Sequence, residues 1–146
     1  GDKEIHLVRG DDPLVVNTMQ RISSVILQKS IKEGFALTVS EALWKATPVI
    51  GTNVGGIPLQ IEHGKNGYLV ELNGNGEEHI RETADLIKEL LTNKEKAEIM
   101  GLAGREIVKN NFLMTRHLKE YLELFNELTK KESAPLPLIH KIPQKE

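Results

Sequence analysis

Apolar and polar positions recur along this chain with two different periods, and the change of period lays out its elements. Ile5-His6-Leu7-Val8 is short, apolar-rich and followed by Gly10, which predicts a strand. Asp11-Asp12-Pro13 marks a helix start, with Asp12 as N-cap and Pro13 in the first turn. From Pro13 to about Ile22, the residues Val15, Met19 and Ile22 return at helical spacing and are expected to face inward. Ser23-Ser24 breaks that pattern. Val25-Ile26-Leu27-Gln28 then forms a β-branched, nearly unbroken apolar run, as a buried parallel strand requires. A second helix, from about Leu37 to Ala46, sets Val39, Leu43 and Ala46 on one side with Ala42 filling in. Pro48-Val49-Ile50-Gly51 predicts the next buried strand, and Asn53-Val54-Gly55-Gly56 a turn with close backbone approach. Ile57 to Glu62 predicts a short helical turn. Asn66-Gly67 is a turn signal, and Tyr68-Leu69-Val70 a last short strand.

Beyond these strands the period is helical. Asn73-Gly74-Asn75-Gly76 reads as a loop, then Glu77 to Leu91 as a helix with Ile80, Ala84, Ile87 and Leu91 on one face. Thr92-Asn93 caps a helix from Lys94 to about Asn110, whose apolar side is Met100, Ala103, Ile107 and Val108. Gly101 and Gly104 are expected to weaken it by about 1 kcal/mol each relative to alanine. A final helix from about Met114 to Leu128 carries the stripe Leu118, Tyr121, Leu122 and Phe125. Lys131 to Glu146 holds three prolines and little periodicity, which predicts an extended or disordered tail. The pattern as a whole predicts an α/β fold, a Rossmann-like parallel sheet covered by helices and ending in C-terminal helices. Its expected organisation is one ligand-binding domain over residues 1–128 and a tail over 129–146.

Composition mainly excludes. With 146 residues, 39% hydrophobic and 27% charged, the chain has the make-up of one globular domain. A formal net charge of -2 argues against sequence-independent nucleic-acid binding, which needs a basic face. The absence of cysteine excludes disulfides and thiolate metal sites. The five histidines have no pair at metal-ligand spacing, so no metal site is expected. No apolar run approaches the roughly 20 residues of a membrane span. Gly1-Asp2-Lys3-Glu4 lacks a signal-peptide pattern, and a cytoplasmic protein is the expectation.

Candidate chemistry gathers in Lys32-Glu33-Gly34-Phe35-Ala36-Leu37-Thr38-Val39-Ser40-Glu41, between a predicted strand and a predicted helix. Strand, tight loop and helix is the unit with which doubly wound proteins bring a ligand to the carboxyl ends of their strands. The helix start offers free N–H groups and a positive dipole end to a phosphate. The carboxylates Glu33 and Glu41 suit paired hydroxyls, such as those of a ribose or a sugar ring, and Glu41 lies one turn inside the helix. Such a site should hold a sugar joined to a phosphate. Each residue also has a plainer reading: Glu33 as a solvated loop acid, Glu41 as an acid meeting the helix dipole, Phe35 and Leu37 as core side chains. Lys29 would place a cation beside a diphosphate, or simply lie in solvent. Gly55-Gly56 lacks the spacing of a dinucleotide fingerprint and reads as a tight turn beside the pocket. Trp44 reads as a packing residue, and the Lys/Glu-rich stretches of the last helices as solvated faces.

The spacing Glu33-x7-Glu41 with Gly34 and Phe35 inside it resembles the retaining glycosyltransferases built from two Rossmann-like domains. Thr47-Pro48-Val49-Ile50 leading to Gly55-Gly56 resembles that family's second segment, and Gly64-Lys65-Asn66-Gly67-Tyr68-Leu69-Val70 its third. Leu27-Gln28-Lys29-Ser30 and Gly56-Ile57-Pro58-Leu59-Gln60-Ile61 are similar to the trehalose-forming members, where many relatives carry Pro-Ser before the motif and Glu near position 59. The resemblance implies the second half of a C-terminal donor domain, with a missing N-terminal domain that binds the acceptor. It implies a nucleotide sugar donor, a small sugar acceptor such as glucose, no cofactor and no metal. It further implies that Glu33 is the catalytic-site carboxylate on the donor sugar and that Glu41 binds the ribose diol. Lys29, Gly34 and the N–H groups of Phe35, Ala36, Leu37 and Thr38 would face the diphosphate, whose leaving oxygen would help deprotonate the acceptor on the same face. The Arg and Lys that family members usually supply from an earlier segment are absent here. Alanine at position 36, where glycine is usual, argues against a left-handed turn there. Two alternatives stand beside this reading: a glucan synthase or surface-polysaccharide transferase, and a non-catalytic nucleotide-binding module. The Leu118–Phe125 stripe, which the resemblance sends back to the first domain, is expected to cause self-association or a loosely held helix.

Overall fold

A computed structural model describes residues 4–72 and 76–131, which fall into two compact units parting between Phe112 and Leu113. The first unit is built on a three-stranded parallel sheet in the order β1 (Ile26–Gln28), β2 (Val49–Thr52), β3 (Gly67–Val70). Ile26 pairs with Val49 and Gln28 with Gly51, while Val49 pairs with Gly67 and Thr52 with Val70. β2 has a neighbour on both sides, and all four of its residues are buried. β1 is bonded on one side only among the described residues, which leaves Leu27 42% exposed. It is therefore less buried than its unbroken apolar run predicts. The Ile5–Val8 strand does not form: Leu7 is 98% exposed, and no strand of the described residues pairs with the run. An apolar stretch without a ladder partner has no use for extended pairing geometry.

The first helix, α1 (Pro13–Ile22), starts as expected, with Asp12 Oδ1 accepting from the N–H groups of Leu14 and Val15. Its inward face differs from the expectation. Val15 is half-buried as expected, but Met19 and Ile22 are exposed, and the inward positions are taken by half-buried Val16 and buried Gln20. Helix α2 (Leu37–Trp44) buries Val39, Ala42 and Leu43. It stops before Ala46, which takes φ 58° and closes the helix with bonds from Ala46 N–H to Leu43 O and Thr47 N–H to Ala42 O. That is the left-handed helix end usually given to glycine.

β2 and β3 are joined by a short 3₁₀ turn, Ile57–Leu59. Residues 73–75 of the predicted loop lie outside the described residues; Gly76 already opens α3 (Gly76–Thr92). The buried face of α3 carries Thr83 and Leu90 with Leu86 and Ile87, while Ile80 and Leu91 are exposed. The stripe is thus rotated from the expected one, and Thr83 can be buried in it because its hydroxyl donates to His79 O at 2.8 Å. Ile50, Tyr68, Val70, Leu90 and Met100 form the core on this side. At its edge, the Tyr68 hydroxyl donates to Glu89 at 2.8 Å and Lys96 Nζ donates to the same carboxylate at 2.5 Å. The hydrogen bond from Lys96, then that from Tyr68, holds Glu89 below the usual carboxylate range, and the same bond to Glu89 raises Lys96.

Helix α4 (Lys94–Asn111) is capped by Asn93, whose Oδ1 accepts from Lys96 N–H at 3.0 Å. Its glycines have a structural reason. A Cβ at Gly101 would stand 2.0 Å from Ala46 O, and one at Gly104 2.7 Å from Leu43 Cδ2. They let α4 close against α2, Gly101 on the backbone of its left-handed end and Gly104 on the Leu43 side chain, so helix propensity is given up for close approach. Gly101→Ala should therefore destabilise the protein by about 1–3 kcal/mol despite alanine's better propensity. A melting temperature equal to or above wild type would contradict this packing.

The second unit carries α5 (Met114–Lys131), on which Leu118, Tyr121, Leu122 and Phe125 are all exposed. The remainder of the expected tail, residues 132–146, lies outside the described residues.

Candidate functional site

The carboxyl ends of β1 and β2 lie side by side, and each leads into a loop. Parallel strands with this arrangement leave a crevice at their carboxyl ends, which is where open α/β sheets bind ligands. The loop after β1 runs from Lys29 to Ala36, and that after β2 through Asn53 to Gly56. Thr52 Oγ1 donates to Ser30 O at 2.5 Å, tying the second strand end to the first loop. The Gly55-Gly56 pair then presses directly on that loop. Gly56 N–H donates to Gly34 O at 2.7 Å, Gly55 has φ +55°, and a Cβ on it would lie 1.8 Å from Glu33 O. The two glycines form the seat of the Glu33 loop rather than a bare turn.

Glu33 is held from three sides. Its Oε1 accepts from Gly34 N–H at 3.0 Å, and its Oε2 from Ser30 Oγ at 3.2 Å and Gln28 Nε2 at 3.4 Å. Gln28 continues the chain, since its Oε1 accepts from Thr38 Oγ1 at 2.7 Å. One glutamine at the end of β1 therefore orients the loop carboxylate and the first turn of α2 together. The side of Gly34 where a Cβ would stand is open space.

Ala36 corrects an expectation. It sits at φ 65°, ψ 72°, in the left-handed region, as the N-cap of α2. For a residue with a Cβ this costs roughly 1–2 kcal/mol. The conformation is held by buried Gln60, whose Nε2 donates to Phe35 O and also reaches Ala36 O and Gly56 O at 3.4 Å. Gln60 Oε1 in turn accepts from Ser40 Oγ at 2.5 Å. A strained residue persists where its surroundings over-determine it, and such places cluster at ligand sites. Since Ala36 supplies no side-chain cap, the first N–H groups of α2 are uncapped, with the helix dipole behind them.

Glu41 lies on the far side of that helix start. It borders a cleft of about 460 Å³ between α1 and α2, with Asn17, Gln20, Thr38 and Lys45 on its walls. Gln20 Nε2 donates to Glu41 Oε2 at 3.0 Å, and Lys45 Nζ donates to Gln20 Oε1 at 2.6 Å.

The predicted site residues are thus placed as follows. Thr38 joins the two parts, lining the Glu41 cleft and bonding to Gln28 beside Glu33. Phe35 packs edge-on against Phe112 at 5.5 Å, so its side chain is structural. Leu37 is not a core residue: it is 68% exposed at the first turn of α2. Lys29 is exposed and does not line the cleft. Trp44 lies under the Arg105 guanidinium, 5.4 Å from the ring centre. Gln20, Gln28 and Gln60 were missed as site residues. The signal was available for two of them: a polar residue closing an apolar strand, and one taking an inward position of an amphipathic helix. Gln60 gave no sign. Among the described residues, no group of three or more His, Asp or Glu is placed to hold a metal ion, and no helix is long and apolar enough to cross a membrane.

A parallel sheet end with an uncapped helix start and two oriented carboxylates near it is the arrangement of an open α/β ligand-binding fold, and comparison with known proteins gives the chain a family. The chain belongs to the glycosyl transferases group 1 family, whose profile matches residues 3–107. It is 48% identical over 111 residues to trehalose synthase of Thermococcus litoralis, covering 76% of this chain and 25% of that protein. It is 44% identical over 131 residues to trehalose synthase of Rubrobacter xylanophilus, covering 88% of this chain and 30% of that protein. The chain therefore spans about a quarter to a third of the length of these relatives. In structure it is similar to a glycosyltransferase from Rickettsia africae, with TM-score 0.65, 31% identity, and coverage of 77% of this chain and 29% of that one. The family resemblance and the α/β fold expected from sequence are both borne out.

Proposed function

We propose that this chain is the donor-binding part of a retaining glycosyltransferase that moves glucose from a nucleoside diphosphate glucose to an acceptor sugar. The observation that carries the reading is the pair of oriented carboxylates, Glu33 and Glu41, on either side of the uncapped start of α2. The diphosphate lies against the N–H groups of residues 35–38, where backbone dipoles stabilise negative charge without reorganisation. Glu33 accepts from hydroxyls of the glucose, and Glu41 from the ribose diol. In the transfer, the bond from the sugar C1 to the diphosphate oxygen breaks and a bond from C1 to the acceptor oxygen forms on the same face. The acceptor's proton passes to the leaving phosphate oxygen, so no side-chain base is needed and charge balances. Lys29, exposed in the loop that follows β1, offsets diphosphate charge in this reading.

The kinship with two trehalose synthases supports glucose as the acceptor and trehalose as the product. The acceptor pocket is then supplied by a domain outside this chain, and the exposed stripe of α5 is the surface available for that domain or for self-association. The reading places the protein in the cytoplasm, where nucleotide sugars are made.

The division of labour is testable on the chain as it stands. In a titration it should bind a nucleoside diphosphate glucose, and with glucose added it should form no trehalose. Trehalose made by the chain alone would contradict the separate acceptor domain; failure to bind any such donor would contradict the donor site itself.

A further inference from the structure

Gln20 is 7% exposed on a helix face that would otherwise be filled by an apolar side chain. Burying an amide is unfavourable unless its polar atoms are paired. Here both ends are used: Nε2 donates to Glu41 Oε2 at 3.0 Å, and Oε1 accepts from Lys45 Nζ at 2.6 Å. The backbone is fixed as well, with Thr47 Oγ1 donating to Gln20 O at 2.6 Å and Lys45 Nζ also reaching Glu41 O at 3.3 Å. A lysine ammonium can only donate, so the amide oxygen must face Lys45. That leaves Nε2 no direction but Glu41. The lysine thus sets the sense of the amide, and the amide sets the plane of the carboxylate.

A glutamate's terminal torsion is otherwise broad, and the carboxylate would sample many orientations. With Oε2 held by Gln20, Oε1 and the remaining lone pair of Oε2 stay available to the cleft in a fixed plane. Two acceptor positions in one plane match two neighbouring hydroxyls. Holding them before the ligand arrives removes an ordering cost from binding.

We propose that Gln20 is a positioning residue for Glu41, oriented by Lys45, and that the pair makes this cleft select a ligand with a vicinal diol over one lacking either hydroxyl. The inference rests on the proposed role of Glu41 in holding a ribose. It assigns ribose selectivity to a residue that need not touch the nucleotide.

The test compares ADP with 2′-deoxy-ADP, UDP with 2′-deoxy-UDP and GDP with 2′-deoxy-GDP, titrated into the chain and into Gln20→Leu, Lys45→Met and Glu41→Gln. For whichever base binds, Gln20→Leu should weaken the ribo form by about tenfold, the scale of one hydrogen bond to a charged group, and the deoxy form by less than about threefold. The ratio of ribo to deoxy affinity therefore collapses, which a merely structural role would not produce. Lys45→Met, at a half-buried position where methionine keeps the stem, should reduce the same ratio; it carries the test if Gln20→Leu fails to fold. If Glu41→Gln collapses the ratio while Gln20→Leu, or Lys45→Met in its place, leaves it at the wild-type value, the positioning role is overturned and the site reading stands. If Glu41→Gln also leaves the ratio unchanged, the ribose reading of the site is overturned, and this inference with it.

Discussion

Gly55→Ala is expected to lower the melting temperature by roughly 10 °C or more and to abolish donor binding. Two costs add. A residue with a Cβ at φ +55° is strained by roughly 1–2 kcal/mol. The new methyl would also lie 1.8 Å from Glu33 O and 2.7 Å from Glu33 C, both backbone atoms that no rotamer change can move aside. Forcing an extra carbon into packed surroundings typically costs about 1–3 kcal/mol more. The sum, about 2–5 kcal/mol, corresponds to a shift of this size in a unit of this length. Binding suffers independently, because the atom displaced belongs to Glu33 itself and the neighbouring Gly34 carbonyl is the acceptor for Gly56 N–H. A thermal melt within a degree or two of wild type would show that the loop is not seated on Gly55.

Glu41→Gln is the complementary case, a large effect on binding with little on stability. If the carboxylate accepts two ribose hydroxyls, loss of its charge weakens two bonds worth roughly 1.5–3 kcal/mol each. Nucleoside diphosphate affinity should then fall at least about tenfold. The fold has little reason to change, because Glu41 is exposed and a glutamine keeps a carbonyl oxygen that can accept from Gln20 Nε2. Unchanged affinity in a calorimetric titration would remove Glu41 from the site.

Local rules account for the parts of the fold that were legible in the sequence. Asp12-Pro13 started α1, Asn93 capped α4, and the apolar run Val49-Ile50 became the fully buried centre of the sheet. The misses are positions decided by neighbours distant in sequence. Ile5–Val8 has strand composition but no ladder partner, and Leu37 has core composition but opens a helix at the surface. Gly101 and Gly104 read as weak points until the Ala46 carbonyl and Leu43 are seen against them. Ala36 violates the rule that only glycine turns left-handed cheaply, and Gln60, remote in sequence, is what holds it. The site divides in the same way. The spacing of Glu33 and Glu41 across a helix start was visible, since it is written in one contiguous stretch. Gln28 and Gln20, which orient those acids, showed only as polar residues in otherwise apolar positions, and Gln60, which holds Ala36, left no trace, because partners 20 or 21 residues apart, such as Ser40–Gln60 and Gln20–Glu41, carry no periodic signal.

The central claim is that this sheet end holds a nucleoside diphosphate through the α2 N–H groups and the ribose through Glu41. It is tested most directly by calorimetric titration of the chain with ADP, UDP and GDP, alongside inorganic diphosphate. The account predicts saturable one-to-one binding of at least one nucleoside diphosphate, tighter than diphosphate alone and weakened in Glu41→Gln. Absence of saturable binding by all three, or affinity no better than that of diphosphate, would contradict it.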